Sequence, residues 1–285
     1  MTDRERLDPL PRGIRTLSND ESERLKSLVG KSKKFPASPK DCAICDGTQV
    51  FRWYSRISGH ENEVVEYDCP CNDQWTLSRY LYSCGIPWGL QVLGKRDIYQ
   101  QSEAVDVVMN YIANLDGNFK HGIGLLLYGP PGSGKTMLGS LVLKAYAAKG
   151  YSICFTSFIE LLDGKKSSWS NKEEKDWFAR QVTHTDILMI DDPGKEFKTD
   201  GRGADFINTL LQEVVRYRVS NDLPTIITSN LDPSRFRDSY GSDVGSLLTE
   251  STQTQSVLGA DVRQKKYKED QRERDLNLVR PVVIR

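Results

Sequence analysis

Short apolar runs alternate with stretches of helical periodicity from residue 122 onward. Runs with the length of single strands are GLLLYG (124–129), SICFTSF (152–158), DILMIDD (186–192) and PTIITSN (224–230). Apolar residues three or four positions apart, as on the buried face of a helix, recur in KTMLGSLVLKAYAAKG (135–150), SFIELL (157–162), EEKDWFARQV (173–182) and ADFINTLLQEVVRYRVS (204–220). Apolar strands separated by helices predict an α/β fold, in which helices cover both faces of a parallel sheet.

The N-terminal part of the chain follows a different pattern. Residues 1–41 are highly charged and rich in proline, so we expect a loosely ordered arm with one short helix near 20–29. Alternation in VFRWYSRI (50–57) predicts a hairpin, and helices are expected near 75–84 and 101–115. We therefore divide the chain into a charged arm (1–41), a small N-terminal domain (42–90), a linker (91–105) and a large α/β domain (106–285).

The charge balance and the apolar runs narrow the choice of partner. With 39 basic and 39 acidic residues the net charge is zero, so contact with nucleic acid must come from local patches. The apolar runs are too short to span a bilayer, and the charged sequence MTDRERLDPLPR contains no apolar signal segment. We expect a cytoplasmic protein with no membrane partner.

The segment GPPGSGKT (129–136) matches the phosphate-binding pattern G-x-x-x-x-G-K-[ST], and it lies between a predicted strand and a predicted helix. Its glycines let successive backbone N–H groups point at phosphate oxygens, and the helix N-terminus adds partial positive charge. Lys135 would reach the β- and γ-phosphates of ATP, and Thr136 would hold Mg²⁺. The predicted nucleotide-binding residues are Gly129, Pro130, Pro131, Gly132, Ser133, Gly134, Lys135 and Thr136.

Polar side chains end two of the other predicted strands. Asp191 follows four apolar residues and should reach the carboxyl edge of the sheet, where it would hold Mg²⁺ through water opposite Thr136. Asp192 would face the γ-phosphate and orient the attacking water. Asn230, at the end of the next strand, would bind the same water, although strands also end in asparagine for reasons of turn geometry.

Two tight cysteine pairs flank the predicted hairpin: Cys42 and Cys45, and Cys69 and Cys71. Four thiolates near two turns are a common structural Zn²⁺ site, and His60 is a possible substitute for one of them. Redox-active or simply buried thiols are the alternative. Zn²⁺ would hold together a small domain that has little core of its own. The aromatic and basic residues of the hairpin suit a protein interface, a nucleic-acid strand or packing around the metal.

With these motifs in order, the chain from about residue 85 resembles the AAA+ ATPases of the DnaC/DnaI helicase-loader and IstB transposition-helper group. That group shows an Asp-Asp-x-Gly-x-Glu string after its third strand, which Asp191, Asp192, Gly194 and Glu196 match. The segments that carry the likeness are GPPGSGKT (129–136), FTSFIELL (155–162), LMIDDPGKE (188–196), TIITSN (225–230) and GADVR (259–263).

The resemblance implies further site residues. Glu196 would be a second carboxylate for the attacking water, and Arg263 would sense the γ-phosphate. Leu247 stands where the group carries an arginine that acts on the neighbouring subunit's ATP. Arg235 and Arg237 are candidates to replace that arginine, or are solvent-facing helix residues.

The resemblance also implies contacts with DNA. Helices after the second strand contact single-stranded DNA in this group, and the corresponding stretch here offers Lys165, Lys166 and Trp169. An ordinary solvated loop with one packed tryptophan explains the same residues.

The function implied is ATP-dependent loading of a replicative DnaB-type helicase onto single-stranded DNA, in a protein of the minimal size found in phages and mobile elements. The N-terminal zinc-binding domain would contact the helicase, and the AAA+ domain would self-associate. ATP, Mg²⁺ and structural Zn²⁺ are the expected cofactors, and hydrolysis should be slow and dependent on assembly. Two alternatives remain: an IstB-like helper ATPase that binds duplex DNA, and a nucleotide-gated adaptor that scarcely hydrolyses ATP.

Overall fold

The computed structural model describes residues 40, 42, 45, 47–55, 63–69, 71–98, 101–169, 172–194, 202–259, 261–262, 268 and 282–284. The helix predicted near 20–29 lies outside these residues, as do His60, Glu196 and Arg263. The chain divides into two compact units, a larger one built around Tyr82–Arg263 and a smaller one formed by Arg12–Leu81 together with Gln264–Val283.

The predicted hairpin is confirmed in the smaller unit. Strands β1 (Val50–Ser55) and β2 (Glu63–Asp68) pair antiparallel, with Val50 opposite Asp68. Helix α1 (Cys71–Ser83) follows and begins four residues before the predicted helix near 75–84. Its buried positions are Cys71, Gln74, Leu77, Tyr80 and Leu81.

A second stretch of chain completes this smaller unit. Gln74 is buried on α1, and its side-chain amide bonds the backbone of Val282 in both directions. The Gln74 Nε2 donates to the Val282 carbonyl at 3.3 Å, and the Val282 N–H donates to Gln74 Oε1 at 2.7 Å. Residues 264–283 therefore group with the N-terminal unit, whereas the sequence pattern predicted them as part of the α/β domain.

Among the described residues of the larger unit, five strands form a parallel sheet in the order β4-β5-β6-β3-β7. The strands are β3 (Gly124–Tyr128), β4 (Ile153–Ser157), β5 (Ile187–Asp191), β6 (Thr225–Ser229) and β7 (Thr252–Ser256). The first four are those predicted from apolar runs. The fifth, TQTQS, has no apolar residue and was not predicted.

Helices cover both faces of this sheet, as the alternation of strands and helices predicted. They are α2 (Trp88–Gln91), α3 (Glu103–Ala113), α4 (Leu115–Lys120), α5 (Lys135–Ala148), α6 (Phe158–Ser167), α7 (Lys172–Phe178), α8 (Arg202–Ser220), α9 (Pro233–Tyr240) and α10 (Ser242–Ser251). Local sequence sets their starts: Ser157 and Glu160 form a capping box on α6, and Asp232 caps α9 ahead of Pro233. Among the described residues, no helix has the length and apolar character needed to cross a bilayer.

The two sheet faces have different packing. On one face, Leu126, Leu188 and Ile227 join a large apolar cluster with α6 to α10. On the other face, Gly139 brings α5 close to the sheet, since a Cβ there would lie 2.7 Å from the Met189 methyl group. This close approach fixes the start of α5 relative to the ends of β5 and β6.

Residues 82–98 are part of the larger unit. The backbone N–H of Phe155 on edge strand β4 donates to the carbonyl of Cys84 at 2.7 Å. Asp97, in a 3₁₀ turn (Lys95–Asp97), accepts from the Gly94 N–H at 2.7 Å. Much of the stretch predicted as a linker (91–105) thus has its own contacts within this unit.

The buried guanidinium of Arg218 binds backbone groups at the edge of the sheet where β5 and β6 begin. This edge is opposite the one that carries the phosphate-binding loop. Arg218 is fully buried on α8, and its burial lowers the side-chain pKa to about 9. It donates to the Thr225 hydroxyl and also binds the carbonyls of Val182, Thr183, Thr185, Asp186 and Pro224. A single side chain thereby joins the π-helical turn Ala179–Thr183 to the starts of β5 and β6.

Candidate active site and metal centre

The phosphate-binding loop connects β3 to α5, as predicted. Gly134 precedes the first residue of α5 with a φ of +96°, in the left-handed region that glycine adopts without strain. Gly132 also has a positive φ, of +81°, and a Cβ on it would lie 2.4 Å from the Asp261 carboxylate. The loop therefore requires glycine at both positions, and α5 directs its free N–H groups toward the loop.

Lys135 is held inside the loop by three acceptors. Its Nζ donates to the carbonyls of Gly129 and Pro130, each at 2.8 Å, and to Asn230 Oδ1 at 3.0 Å. The side chain is 7% exposed, so its ammonium group is fixed in place rather than free in solvent. This arrangement brings together the predicted lysine and the predicted asparagine, which are 95 residues apart.

Thr136 and Asp191, the predicted magnesium pair, are in direct contact. The Thr136 hydroxyl donates to Asp191 Oδ1 at 2.8 Å. The Thr228 hydroxyl, on β6, donates to the same carboxylate oxygen. A hydroxyl and a carboxylate beside a phosphate-binding loop are hard oxygen donors of the kind that Mg²⁺ prefers, so the donor set fits this ion.

Asp192 has a left-handed backbone, with a φ of +61°. Its N–H donates to the Thr228 carbonyl at 2.9 Å, and its Oδ1 accepts from Asn230 Nδ2 at 2.6 Å. Aspartate adopts this region more readily than most residues, but the conformation still costs energy and needs support from its surroundings. Asn230 thus joins Lys135 to the carboxylate of Asp192.

These groups line one cleft with a volume of about 170 Å³. Its lining residues are Pro131, Gly132, Gly134, Lys135, Thr136, Met137, Asp192, Thr228, Asn230 and Val262. Val262 was not predicted, and its N–H donates to the Gly132 carbonyl at 3.0 Å. The segment that carries GADVR therefore reaches the phosphate-binding loop, although Arg263 itself lies outside the described residues, as does Glu196.

The candidates for a trans-acting arginine lie on α9, and Leu247 lies on α10. Leu247 is partly buried and packs against the large apolar cluster. Arg235 and Arg237 are exposed, and Arg235 Nε lies 3.5 Å from the Asp232 carboxylate. The Arg237 side-chain stem packs over Gly245, where an added Cβ would be 2.9 Å from the Arg237 Cβ. Position 247 thus contributes to the core, and the two arginines are at the surface.

The predicted DNA contacts lie at and just beyond the end of α6. Lys165 Nζ is 3.0 Å from the Glu213 carboxylate, and Lys166 Nζ is 3.7 Å from that of Asp163. Trp169 is 68% exposed, although its ring makes an edge contact with Phe206. An exposed ring suits base stacking, while both lysines are partly neutralised by acids.

The four cysteines predicted to bind metal come together in the smaller unit. All four are buried, and their sulfur atoms lie within 4.8 Å of one another. The Cys42–Cys69 and Cys45–Cys71 sulfur pairs are each 3.8 Å apart. A tetrahedral Zn²⁺ with Zn–S bonds of about 2.3 Å requires sulfur–sulfur distances of about 3.8 Å, so the residues fit a single ion of this kind.

The electrostatics of the cluster also fit a cation. Burial raises the pKa of the Cys71 thiol to about 12, and burial together with negative charge on Cys42 raises that of Cys69 further. Four thiolates in this volume would repel one another, and a divalent cation removes that repulsion. The donor set would hold zinc in a closed structural site, with all four positions taken by protein.

Comparisons with known proteins agree with the fold of the larger unit. Residues 125–240 match the family model described as ATPase family associated with various cellular activities (AAA). The chain is similar to the crystal structure of the DnaC helicase loader, with 24% identity, a TM-score of 0.50, and coverage of 60% of this chain and 98% of that one. It is similar to the crystal structure of DnaI, with 20% identity, a TM-score of 0.50, and coverage of 61% and 93%. At these identities the two likenesses establish the fold. No curated protein sequence matches the chain.

Proposed function

We propose that this chain, a P-loop ATPase whose residues 125–240 form a domain of the AAA family, loads a replicative ring helicase of the DnaB type onto single-stranded DNA. The observation that supports the proposal is a cluster of four buried cysteines with the geometry of a metal site, in a different unit from the phosphate-binding loop. Loaders of the DnaI type, which the sequence resembles, combine an N-terminal zinc-binding domain with an ATPase domain. The likeness in fold to the DnaC helicase loader and to DnaI supports this choice.

In this proposal the ATPase unit is the switch. Lys135 would bind the β- and γ-phosphates, and Thr136 and Asp191, hydrogen-bonded at 2.8 Å, would hold Mg²⁺, which would neutralise phosphate charge. Asp192 and Asn230, hydrogen-bonded at 2.6 Å, orient the attacking water. We assign Glu196 a supporting role toward this water and Arg263 the sensing of the γ-phosphate, and we place ATP at a boundary between copies of the chain.

The smaller unit would supply the helicase-binding surface. Zinc at Cys42, Cys45, Cys69 and Cys71 fixes the ends of the β1–β2 hairpin and the first turn of α1. A surface stabilised in this way keeps its structure without nucleotide, so ATP would strengthen helicase binding through self-association of the ATPase unit. Single-stranded DNA would contact the ATPase unit at Lys165, Lys166 and Trp169, where stacking on the exposed indole ring gives sequence-tolerant binding.

The test is association of the tagged full chain with a DnaB-type helicase in ATP, in ADP and without nucleotide. We expect capture of the helicase that is strongest in ATP, followed by transfer of the helicase to a single-stranded DNA circle. The variant Lys135→Ala should bind the helicase but lose its response to nucleotide. Absence of association in every nucleotide state contradicts the proposal. Tighter binding to duplex than to single-stranded DNA across a salt series favours a transposition helper instead.

A second candidate function is a nucleotide-gated adaptor with little hydrolysis. The observation in its favour is Leu247, which packs into the core where the related group carries its trans-acting arginine. Turnover measured with helicase and single-stranded DNA present separates the two functions. A loader that uses Arg235 or Arg237 should hydrolyse ATP faster on assembly, and the double variant Arg235→Ala/Arg237→Ala should abolish that acceleration. If the chain is an adaptor, neither the wild type nor the double variant hydrolyses ATP faster when helicase and single-stranded DNA are added.

A further inference from the structure

A residue that the sequence motifs did not identify connects the two acids of the ATP site. Thr228 is 1% exposed, near the end of β6, and pairs with Asp191 in the register of β5 and β6. Its hydroxyl donates to Asp191 Oδ1, the same oxygen that accepts from Thr136. The carboxylate of Asp191 is therefore held from two sides, by α5 and by β6.

The same threonine also holds the residue after Asp191. The Asp192 N–H donates to the Thr228 carbonyl at 2.9 Å and lies 3.3 Å from the Thr228 hydroxyl oxygen. The hydroxyl can thus donate its single proton to Asp191 while accepting from Asp192. These bonds hold the backbone of Asp192 at its left-handed φ of +61°.

We propose that Thr228 is a positioning residue for Mg²⁺, whose hydroxyl fixes the rotamer of Asp191 and so orients this carboxylate toward the ion. The proposal rests on the assignment of Asp191 to Mg²⁺. Without this bond the carboxylate loses the contact from β6 and keeps the one from Thr136, so it is less firmly ordered for the ion. Loss of a hydrogen bond that orients a metal ligand lowers metal affinity by about 10- to 100-fold in other sites.

The test is the Mg²⁺ dependence of binding of a fluorescent ATP analogue to the full-length protein. We expect Thr228→Val, which keeps the shape but removes the hydroxyl, to raise the Mg²⁺ concentration at half-saturation by about 10-fold or more. Thr228→Ser retains the hydroxyl and should restore the wild-type value. Affinity for the analogue without Mg²⁺ should be unchanged in both variants, because Lys135 and the loop are intact. A merely structural role for Thr228 would weaken binding with and without Mg²⁺ alike.

The matched control is Thr156→Val, since Thr156 is also a buried strand threonine but its hydroxyl bonds the neighbouring Ser157 carbonyl. We expect no change in the Mg²⁺ titration for this variant. Thr228→Ala removes the hydroxyl without adding a methyl group, and it replaces the valine variant if thermal unfolding shows that valine is not accommodated. Wild-type Mg²⁺ dependence in a folded Thr228→Val or Thr228→Ala protein overturns the proposal. A wild-type titration for Asp191→Asn overturns instead the assignment of Asp191.

Discussion

Replacing Lys144 with methionine should change how the stability of the larger unit depends on pH. Lys144 lies on α5 and is 1% exposed. Its Nζ donates to the carbonyl of Leu90 at 2.9 Å and to that of Leu93. Burial lowers the pKa of this amine from 10.5 to about 7, and the nearby charge of Asp97 offsets only part of the effect.

The sign of the effect follows from the two pKa values. The unfolded chain binds the lysine proton up to about pH 10.5, whereas the folded chain releases it above about pH 7. Between these values the unfolded state holds more protons, so the free energy of unfolding rises with pH by about 1.4 kcal/mol per pH unit. Across the whole window the contribution of Lys144 is about 5 kcal/mol.

The assay is urea-induced unfolding of the wild type and Lys144→Met, followed by circular dichroism at several pH values from about 7 to 9. The difference between the two proteins should grow by about 1.4 kcal/mol per pH unit in favour of the wild type, since methionine does not titrate. The control is Lys149→Met, at the residue that follows α5, where the side chain is 42% exposed and pairs with Asp116. The difference between this variant and the wild type should not grow in this way. Parallel curves for wild type and Lys144→Met refute the reasoning, because they mean that Lys144 does not change charge in this window.

Three further predictions concern Arg218, Cys71 and Asp192. Arg218→Met leaves several buried carbonyls without a donor and should lower the free energy of unfolding by about 3 kcal/mol or more in thermal or urea unfolding. Arg216→Met, at an exposed ion pair on the same helix, should lower the free energy of unfolding by less than about 1 kcal/mol. Equal losses in the two variants would contradict a stabilising role for the hydrogen bonds of Arg218. Elemental analysis should find one zinc ion per wild-type chain, which Cys71→Ser should lose and Cys154→Ser, outside the cluster, should retain. Zinc bound equally by both variants would exclude the Cys₄ site. Asp192→Asn keeps a residue that tolerates a left-handed backbone, so ATP binding should persist while kcat falls by about 100-fold. Unchanged turnover would show that a carboxylate other than that of Asp192 orients the attacking water.

The sequence predicted those elements whose patterns depend on local chemistry. Apolar runs identified β3 to β6 because these strands are buried on both faces. Strand β7 is an edge strand with two exposed central residues, so its sequence TQTQS has no apolar run to detect. In the site, the contact between Thr136 and Asp191 followed from motif order, since both lie at the carboxyl edge of one sheet.

The features that were missed depend on contacts distant in sequence. Thr228 looks like any β-branched strand residue until the register of β5 and β6 places it beside Asp191. A glutamine in a helix does not indicate that it will pair with residue 282, and an arginine in an amphipathic helix does not indicate that it will bind six acceptors. Leu247 was noted as an absent arginine, and its packing against the core gives a structural reason for an apolar residue there.

The pairing of Gln74 with Val282 affects the order in which the two units can fold during synthesis. The two residues are separated by 208 positions, and the segment between them contains the ATPase unit. At about 5–20 residues per second, a ribosome needs roughly 10–40 s to pass from one to the other. During this time the ATPase unit can emerge and fold, whereas the four clustered cysteines are all synthesised before the C-terminal partner of α1 exists. Metal capture can therefore precede closure of the smaller unit, which would be the last part of the nascent protein to reach its native state.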